Sequence, residues 1–164
     1  MILYITHCSK DKKKGCFPPH ELYESDRISR FISYCETKGV NWAILSALYG
    51  FFFPNQKKKD YDVTLKSDVK YWLGVCVIKD GRKLSFDESK KHLENLQSRL
   101  SQQVSERQVN KIIFYAPNPK RAKCYLAILH SVLDNCCQTH DHQKLICHVK
   151  ENKRIIVENR LNEL

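Results

Sequence analysis

Reactive and polar side chains come shortly after the first apolar run of the chain. Residues 2–6 are apolar or β-branched, and Cys8, Ser9 and Lys10 follow them. A cysteine becomes a nucleophile when its thiol ionises, and a nearby cation such as Lys10 or His7 favours that form. We therefore predict Cys8 and Ser9 as catalytic residues and Lys10 as a phosphate ligand. An inert buried thiol and a turn-forming hydroxyl are the alternatives.

A second apolar run, residues 42–47, leads into three candidate substrate-binding residues. Ser46, Tyr49 and Gly50 lie at its end or directly after it. A tyrosine ring can stack on a base, and glycine allows a positive φ or a close backbone approach. The alternatives are a turn hydroxyl for Ser46 and a half-buried aromatic ring that seals the loop for Tyr49.

A third segment supplies a carboxylate. Tyr61 and Asp62 follow the second group along the chain. Asp62 can accept a hydrogen bond from a base edge or activate a water molecule, so we predict it as a catalytic residue and Tyr61 as a substrate contact. An aspartate in this position is also common in turns, which is the alternative.

The charge balance favours polyanionic partners. The chain has 28 Lys and Arg against 18 Asp and Glu, a net charge of +10. Such a surplus attracts nucleic acid or an anionic membrane. Two lysine runs flank the first two candidate segments and alternate with aromatic residues, a mixture suited to phosphate contacts and base stacking. The residues that we predict to bind DNA or RNA are Lys12, Lys13, Lys14, Lys57, Lys58 and Lys59. Solvated loops are the alternative.

A cluster of soft ligands late in the chain makes zinc a candidate cofactor. Thiolate and imidazole groups at close spacing suit tetrahedral zinc, although paired C-x-x-C motifs would be a stronger signal. The candidate ligands are Cys136, Cys137, His140 and His142. Thiols at a helix end with surface histidines are the alternative. The glycine patterns of ATP-binding and dinucleotide-binding loops are missing, so no other cofactor is predicted.

The sequence predicts a cytoplasmic protein without a membrane segment. No apolar run approaches the ~20 residues that span a bilayer. Residues 1–6 are too short for the apolar core of a signal peptide, so we expect reduced cysteines. The oligomeric state is left open.

The order of the predicted elements indicates one α/β domain over residues 1–164, with a Rossmann-like, mostly parallel sheet flanked by helices. The elements are a strand at 2–6, a helix at 21–38, a strand at 42–47, a hairpin around 80–81, a helix after the Ser85/Glu88 capping box, a strand at 111–115, a helix from Pro119, and strands at 145–149 and 154–157. Residues 51–53 are predicted as an aromatic loop. Parallel strands end at one edge of a sheet, where ligands bind, so the candidate segments should meet there.

Several of these residues carry a family resemblance. The stretch Leu45–Gly50, followed by Pro54 and Tyr61-Asp62, resembles the hallmark region of the peroxide-stress YaaA-like proteins. A related, smaller uncharacterised family is similar in its Cys-Ser-Lys after the first strand, here Cys8-Ser9-Lys10, and in its Leu-Tyr-x-Ser, here Leu22–Ser25. A later tyrosine of that family is matched by Tyr125, whereas its glycine is replaced by Pro117-Asn118-Pro119. The resemblance implies an α/β fold and a role in nucleic-acid metabolism, either DNA protection under oxidative stress or base modification and repair.

We therefore predict a protein that acts on or recognises a base or nucleotide in DNA or RNA. A base-directed transferase or a glycosidic-bond hydrolase is the favoured type of activity. One alternative is a protective protein that binds nucleic acid without catalysis. The other is a transferase or hydrolase of small nucleotides whose basic surface only steers anions.

Overall fold

A computed structural model of the protein describes residues 1–135 and 154–164. The strands of this part of the chain are β1 (Ile2–His7), β2 (Cys16–Phe17), β3 (Trp42–Ser46), β4 (Gly50–Phe52), β5 (Lys58–Lys59), β6 (Val63–Ser67), β7 (Val75–Lys79), β8 (Arg82–Lys83), β9 (Lys111–Tyr115) and β10 (Ile155–Glu158). The α-helices are α1 (Pro19–Leu22), α2 (Asp26–Lys38), α3 (Phe86–Glu106) and α4 (Lys123–Asn135).

The central sheet confirms the predicted mixed α/β fold. Its strand order is β10-β9-β1-β3-β4, and all neighbours are parallel except β3 and β4. Helix α2 packs on β1 and α3 packs on β4, while α4 lies against α3. Every residue of β3 is buried, as expected for a strand covered on both faces. β1 has β3 on one side and β9 on the other, so the order of the strands reverses beside β1.

The predicted aromatic loop at residues 51–53 is wrong. Gly50–Phe52 forms the edge strand β4, antiparallel to β3, with Leu45 opposite Phe51. All three residues of β4 are buried. Helix α3 covers β4, and β4 also pairs with β3, so its residues are all buried. This aromatic run therefore lacks the alternation of polar and apolar residues by which a strand is predicted from sequence. The positive φ predicted for Gly50 is confirmed at 70°.

The predicted helix at 21–38 is confirmed over Asp26–Lys38, while Glu21 and Leu22 belong to the separate short helix α1. Helix α2 ends at Gly39, whose φ of 63° is the predicted left-handed position. Upstream, Tyr23 forms an isolated antiparallel bridge with Lys12. The N–H of Lys13 donates to the Leu22 carbonyl at 2.8 Å, and the chain is extended at Tyr23, between α1 and α2. Pairing with a distant segment has overridden the helical pattern.

The predicted hairpin around residues 80–81 is confirmed. Asp80 and Gly81 have φ values of 50° and 75°, the conformation of a tight hairpin turn. The hairpin forms a separate antiparallel sheet of order β6-β7-β8 rather than an edge of the central sheet. The predicted capping box at the start of α3 is also present, with both the Ser85 and the Glu88 bonds formed.

The predicted start of a helix at Pro119 is wrong. The N–H groups of Arg121 and Ala122 donate to the carbonyls of Asn118 and Pro119 in turns, and α4 begins at Lys123. The predicted strand at 154–157 is confirmed as β10, parallel to β9, whereas the predicted strand at 145–149 lies outside the described residues. Within the described ranges, no helix is long and apolar enough to cross a membrane.

Candidate functional site

The first two predicted segments meet at one edge of the central sheet. β1 and β3 are parallel, with His7 opposite Leu45, and the N–H of Cys8 donates to the Leu45 carbonyl at 2.9 Å. Cys8 and Ser46 thus lie at the carboxyl ends of neighbouring strands. β9 lies on the other side of β1, so Cys8 follows the strand at which the order reverses. Ligands of open α/β sheets bind at such a point.

The Cys8 thiol is buried against a tyrosine from α4. Its side chain is 6% exposed, and its Sγ lies 3.3 Å from the Oη of Tyr125. The Tyr125 ring also stacks on the His7 imidazole, with centroids 5.1 Å apart and planes 18° apart. Tyr125 lies in the first turn of α4 and follows β9 in the chain. Tyr125 therefore adds a side chain from beyond β9 to a site that otherwise comes from the first 65 or so residues.

His7 is not the cation that the sequence suggested. Burial and the neighbouring Arg27 guanidinium lower the pKa of His7 to about 4, so its imidazole is neutral at pH 7. Arg27, in the first turn of α2, is the cation at this point. It donates to the Thr6 hydroxyl and, at 2.7 Å, to the His7 carbonyl. These bonds join α2 to the end of β1.

Lys12 lies inside the site rather than on its outer surface. Its Nζ donates to the carbonyls of Ser9 and Lys10 at 2.7 and 3.3 Å. The ammonium lies 4.2 Å from the centroid of the Tyr61 ring and 5.8 Å from that of Tyr23. Burial lowers the pKa of Lys12. Lys10, which was predicted as the cation of the site, has an exposed side chain.

A chain of hydroxyl groups links the second and third segments. The Ser46 Oγ accepts hydrogen bonds from the N–H groups of Leu48 and Tyr49 at 3.1 and 3.0 Å and donates to the Tyr61 Oη at 2.8 Å. The Tyr61 Oη is in turn 2.8 Å from the Tyr23 Oη. Burial raises the pKa of both tyrosines. Ser46 therefore holds the turn, as its alternative role required, and also positions a pair of neutral phenols.

Residues Cys8, Lys12, Tyr23, Arg27, Ser46, Tyr61 and Tyr125 are called the Cys8 centre below. Tyr23, Arg27 and Tyr125 were not among the predicted site residues. The sequence offered a signal for two of them: Tyr23 lies in the Leu22–Ser25 stretch on which the predicted resemblance rests, and Tyr125 is the later tyrosine that this prediction names. Arg27 carried no sequence signal, because an arginine in the first turn of a helix is common and does not indicate a site.

Three other predicted residues, Ser9, Tyr49 and Asp62, lie next to residues of the Cys8 centre. The Tyr49 ring packs edge-on against Tyr61 at 5.2 Å, and its hydroxyl donates to the Lys59 carbonyl at 3.1 Å. Asp62 is exposed, and its charge opposes the effect of burial on the pKa of Lys12. The Ser9 Oγ donates to the Asp11 carbonyl at 3.2 Å, which is the turn role.

The two lysine runs are brought together by a small antiparallel ribbon. Cys16 in β2 pairs with Lys59 in β5. The Asp60 carboxylate accepts from the Gly15 N–H at 2.9 Å and from the exposed Lys14 ammonium at 3.2 Å. We call β2, β5 and the lysines within or next to them the basic ribbon. These lysines are Lys13, Lys14, Lys57, Lys58 and Lys59. The bond from Tyr49 to Lys59 attaches this ribbon to the edge of the sheet that carries the Cys8 centre.

Two further features lie elsewhere. The predicted zinc ligands Cys136, Cys137, His140 and His142 lie outside the described residues. In the rest of the chain, no three potential metal ligands come together. A cleft of about 250 Å³ opens between Trp42, Phe53 and Arg107, at the opposite edge of the sheet from Cys8. It contains none of the predicted site residues.

Part of the chain is similar to a family defined from sequences. Residues 3–74 match DUF6884, a family of unknown function. The match covers less than half of the chain. It includes most of the Cys8 centre, from Cys8 to Tyr61, but not Tyr125. No curated protein and no solved structure matches the chain. The resemblance to YaaA-like proteins stays a prediction.

The state of His7 leads to a prediction about acid stability. Its pKa rises from about 4 in the folded protein to near 6.5 on unfolding, so the unfolded chain binds the extra proton. We expect the free energy of unfolding to fall by about 3 kcal/mol as the pH drops from 6.5 to 4. Urea unfolding at a series of pH values measures this loss.

Replacement of the imidazole tests the assignment. His7→Phe keeps a ring beside Tyr125 but cannot titrate, so its stability should vary much less with pH. A smaller slope should remain, because burial also lowers the pKa of His92. His20→Phe provides the control, because it makes the same substitution at an exposed position outside the Cys8 centre. Equal slopes for wild type and His7→Phe would contradict the assignment.

Proposed function

We propose that the protein binds DNA or RNA along the basic ribbon and presents a base or nucleotide of the bound strand to the Cys8 centre. One observation carries this proposal: β2 pairs with β5, which brings two lysine runs that are far apart in the sequence into one ribbon beside the carboxyl edge of the sheet. A polyanion that binds where several cations are concentrated releases its own counterions, which favours nucleic acid as the ligand of this surface.

Aromatic rings accompany the lysines of the basic ribbon. The Lys13 ammonium lies 4.4 Å from the centroid of the Phe17 ring, and that of Lys58 lies 5.4 Å from the Tyr49 ring. Phe17 and Tyr49 are both half-buried. Proteins that bind single strands combine backbone-tracking cations with rings on which bases stack. This combination supports a strand with unpaired bases as the ligand.

We extend the proposal to catalysis. The protein would act as a base-directed transferase or a glycosidic-bond hydrolase, with its site on a Rossmann-like sheet. Cys8 is at the reversal point of the strand order, where a bound nucleotide would contact it. Asp62 is the exposed carboxylate closest in sequence to Tyr61 and is available for proton transfer. The engagement of Ser9 and Ser46 in turns supports the second candidate, a protein that binds nucleic acid without turnover.

The salt dependence of binding tests the proposal. Lys57, Lys58 and Lys59 are changed together to Gln, and affinity for fluorescent single-stranded and duplex DNA and RNA is measured by anisotropy from low to high salt. Each lost phosphate contact removes one released counterion. The slope of log affinity against log salt should therefore become shallower by about 2 for a single strand.

A matched control separates the basic ribbon from overall charge. Lys38, Lys70 and Lys91 are exposed and lie on α2, on the loop after β6 and on α3. Their joint replacement by Gln removes the same charge and should leave the slope close to that of wild type. Wild-type protein that binds none of the four nucleic acids, or equal slopes for both triple variants, would refute the proposal.

A further inference from the structure

Two cations of the Cys8 centre lack a carboxylate partner. Lys12 and Arg27 are both partly buried. Among the described residues, neither has an Asp or Glu oxygen within 4.0 Å. The groups that act electrostatically on Arg27 are Cys8, Tyr115 and Tyr125. Asp11, Asp60 and Asp62 act on Lys12, but only from beyond that distance. Partly buried charge without a counterion is costly, so the centre lacks an anion.

The hydroxyl chain also has a surplus donor. Ser46, Tyr61 and Tyr23 carry one hydroxyl hydrogen each, and two bonds join their oxygens. Ser46 uses its hydrogen on Tyr61, and one phenol hydrogen makes the bond between the tyrosines. One phenol hydrogen is left over without an acceptor in the described part of the chain. This hydrogen is on Tyr23 or Tyr61, and Tyr23 is only 3% exposed.

The cations have spare donors as well. An ammonium has three hydrogens, and Lys12 uses two of them on the carbonyls of Ser9 and Lys10. A guanidinium has five, and Arg27 uses three on Thr6, His7 and Cys8. The centre therefore offers an excess of positive charge and of hydrogen-bond donors. Its complement is a group that is anionic and only accepts hydrogen bonds.

We infer that the Cys8 centre binds an oxyanion and that this group is a phosphate of a nucleotide or nucleic-acid strand. A phosphate oxygen accepts charge-assisted bonds from ammonium, guanidinium and phenol donors. Cys8 interacts electrostatically with both Lys12 and Arg27, so a phosphate beside Cys8 would compensate the charge of both cations. The choice of phosphate over other oxyanions rests on the proposed function, because the basic ribbon beside the centre is the surface that would deliver it.

Calorimetric titration of the whole protein tests the inference with three probes: inorganic phosphate, thymidine 5′-monophosphate and thymidine. Wild type should bind the first two and bind thymidine far more weakly. Lys12→Met keeps the length of the side chain but removes the charge, and should weaken phosphate binding by about tenfold or more. Lys13→Met, a neighbour in the basic ribbon, should bind inorganic phosphate within about twofold of wild type.

A second variant keeps the inference falsifiable if Lys12→Met does not fold. Arg27→Lys keeps the charge and enough hydrogens for Thr6, His7 and Cys8 but removes the two spare N–H groups, and should weaken phosphate binding about fivefold or more. Thymidine that binds as tightly as its monophosphate would overturn the inference, as would equal losses in Lys12→Met and Lys13→Met.

A labelled oligonucleotide separates this inference from the proposed function. Phosphate binding that depends on Lys12, in a protein that binds no oligonucleotide, would leave the oxyanion site standing and refute the nucleic-acid proposal. Oligonucleotide binding that depends on the basic ribbon, in a protein that binds neither phosphate nor the monophosphate, would refute the oxyanion site alone.

Discussion

Phe31→Ala is expected to lower the free energy of unfolding by about 3–5 kcal/mol. Phe31 is 0% exposed and lies on the inner face of α2. Its ring stacks parallel to that of Tyr115 at 6.0 Å and meets the Trp42 ring edge-on at 6.5 Å. The truncation leaves a cavity where α2 contacts β3 and β9. These flanking strands are held by their own ladders, so the cavity cannot collapse fully.

Equilibrium unfolding in urea measures the loss, and Phe31→Leu is the matched control. Leucine retains most of the apolar contact, so it should cost under about 2 kcal/mol. Tyr34→Ala, at a half-buried position on the same helix, should also cost less than Phe31→Ala. A loss below 1 kcal/mol for Phe31→Ala, or equal losses for all three variants, would show that this ring does not anchor α2.

Gly50→Ala is expected to destabilise the protein by about 2–4 kcal/mol. Gly50 has a φ of 70°, and a Cβ placed there would lie 2.5 Å from the Gln103 Oε1. That amide bridges α3 to β4: its oxygen accepts from the Phe51 N–H and its nitrogen donates to the Phe51 carbonyl, each at 2.8 Å. The methyl group thus adds left-handed strain and displaces the side chain that satisfies the edge strand.

The control for this prediction is another glycine of the same backbone conformation. Gly39 has a φ of 63°, and a Cβ there would meet nothing within 4 Å. Gly39→Ala should therefore cost only the left-handed strain, about 1 kcal/mol. Thermal or urea unfolding of both variants gives the difference. Equal losses would mean that Gln103 rearranges freely and that contact with α3 does not select glycine at position 50.

Local sequence patterns predicted an element correctly where no pairing with a distant segment changed the local conformation. The apolar runs became β1, β3 and β9, and Gly39 and the Ser85/Glu88 pair mark a helix end and a helix start as predicted. The patterns failed where a distant segment intervened. Pairing of Tyr23 with Lys12 shortened the helix that became α2, and pairing with β3 turned an aromatic loop into β4.

The residue types of the candidate site, and its place at the carboxyl ends of β1 and β3, followed from the order of residues along the chain. Parallel strands joined by a helix must end on the same edge, so Cys8 and Ser46 had to approach each other. Which of the lysines faces inward depended on the tertiary structure. Lys12 is folded over Tyr61, while its neighbour Lys13 lies over Phe17 in the basic ribbon. Periodicity cannot distinguish adjacent lysines in a loop. Their different positions depend on the backbone carbonyls that accept from Lys12 and on the aromatic rings that the two ammonium groups contact. The contact of Tyr125 with Cys8 likewise joins residues 117 positions apart, a separation that only packing of α4 against the sheet edge could bridge.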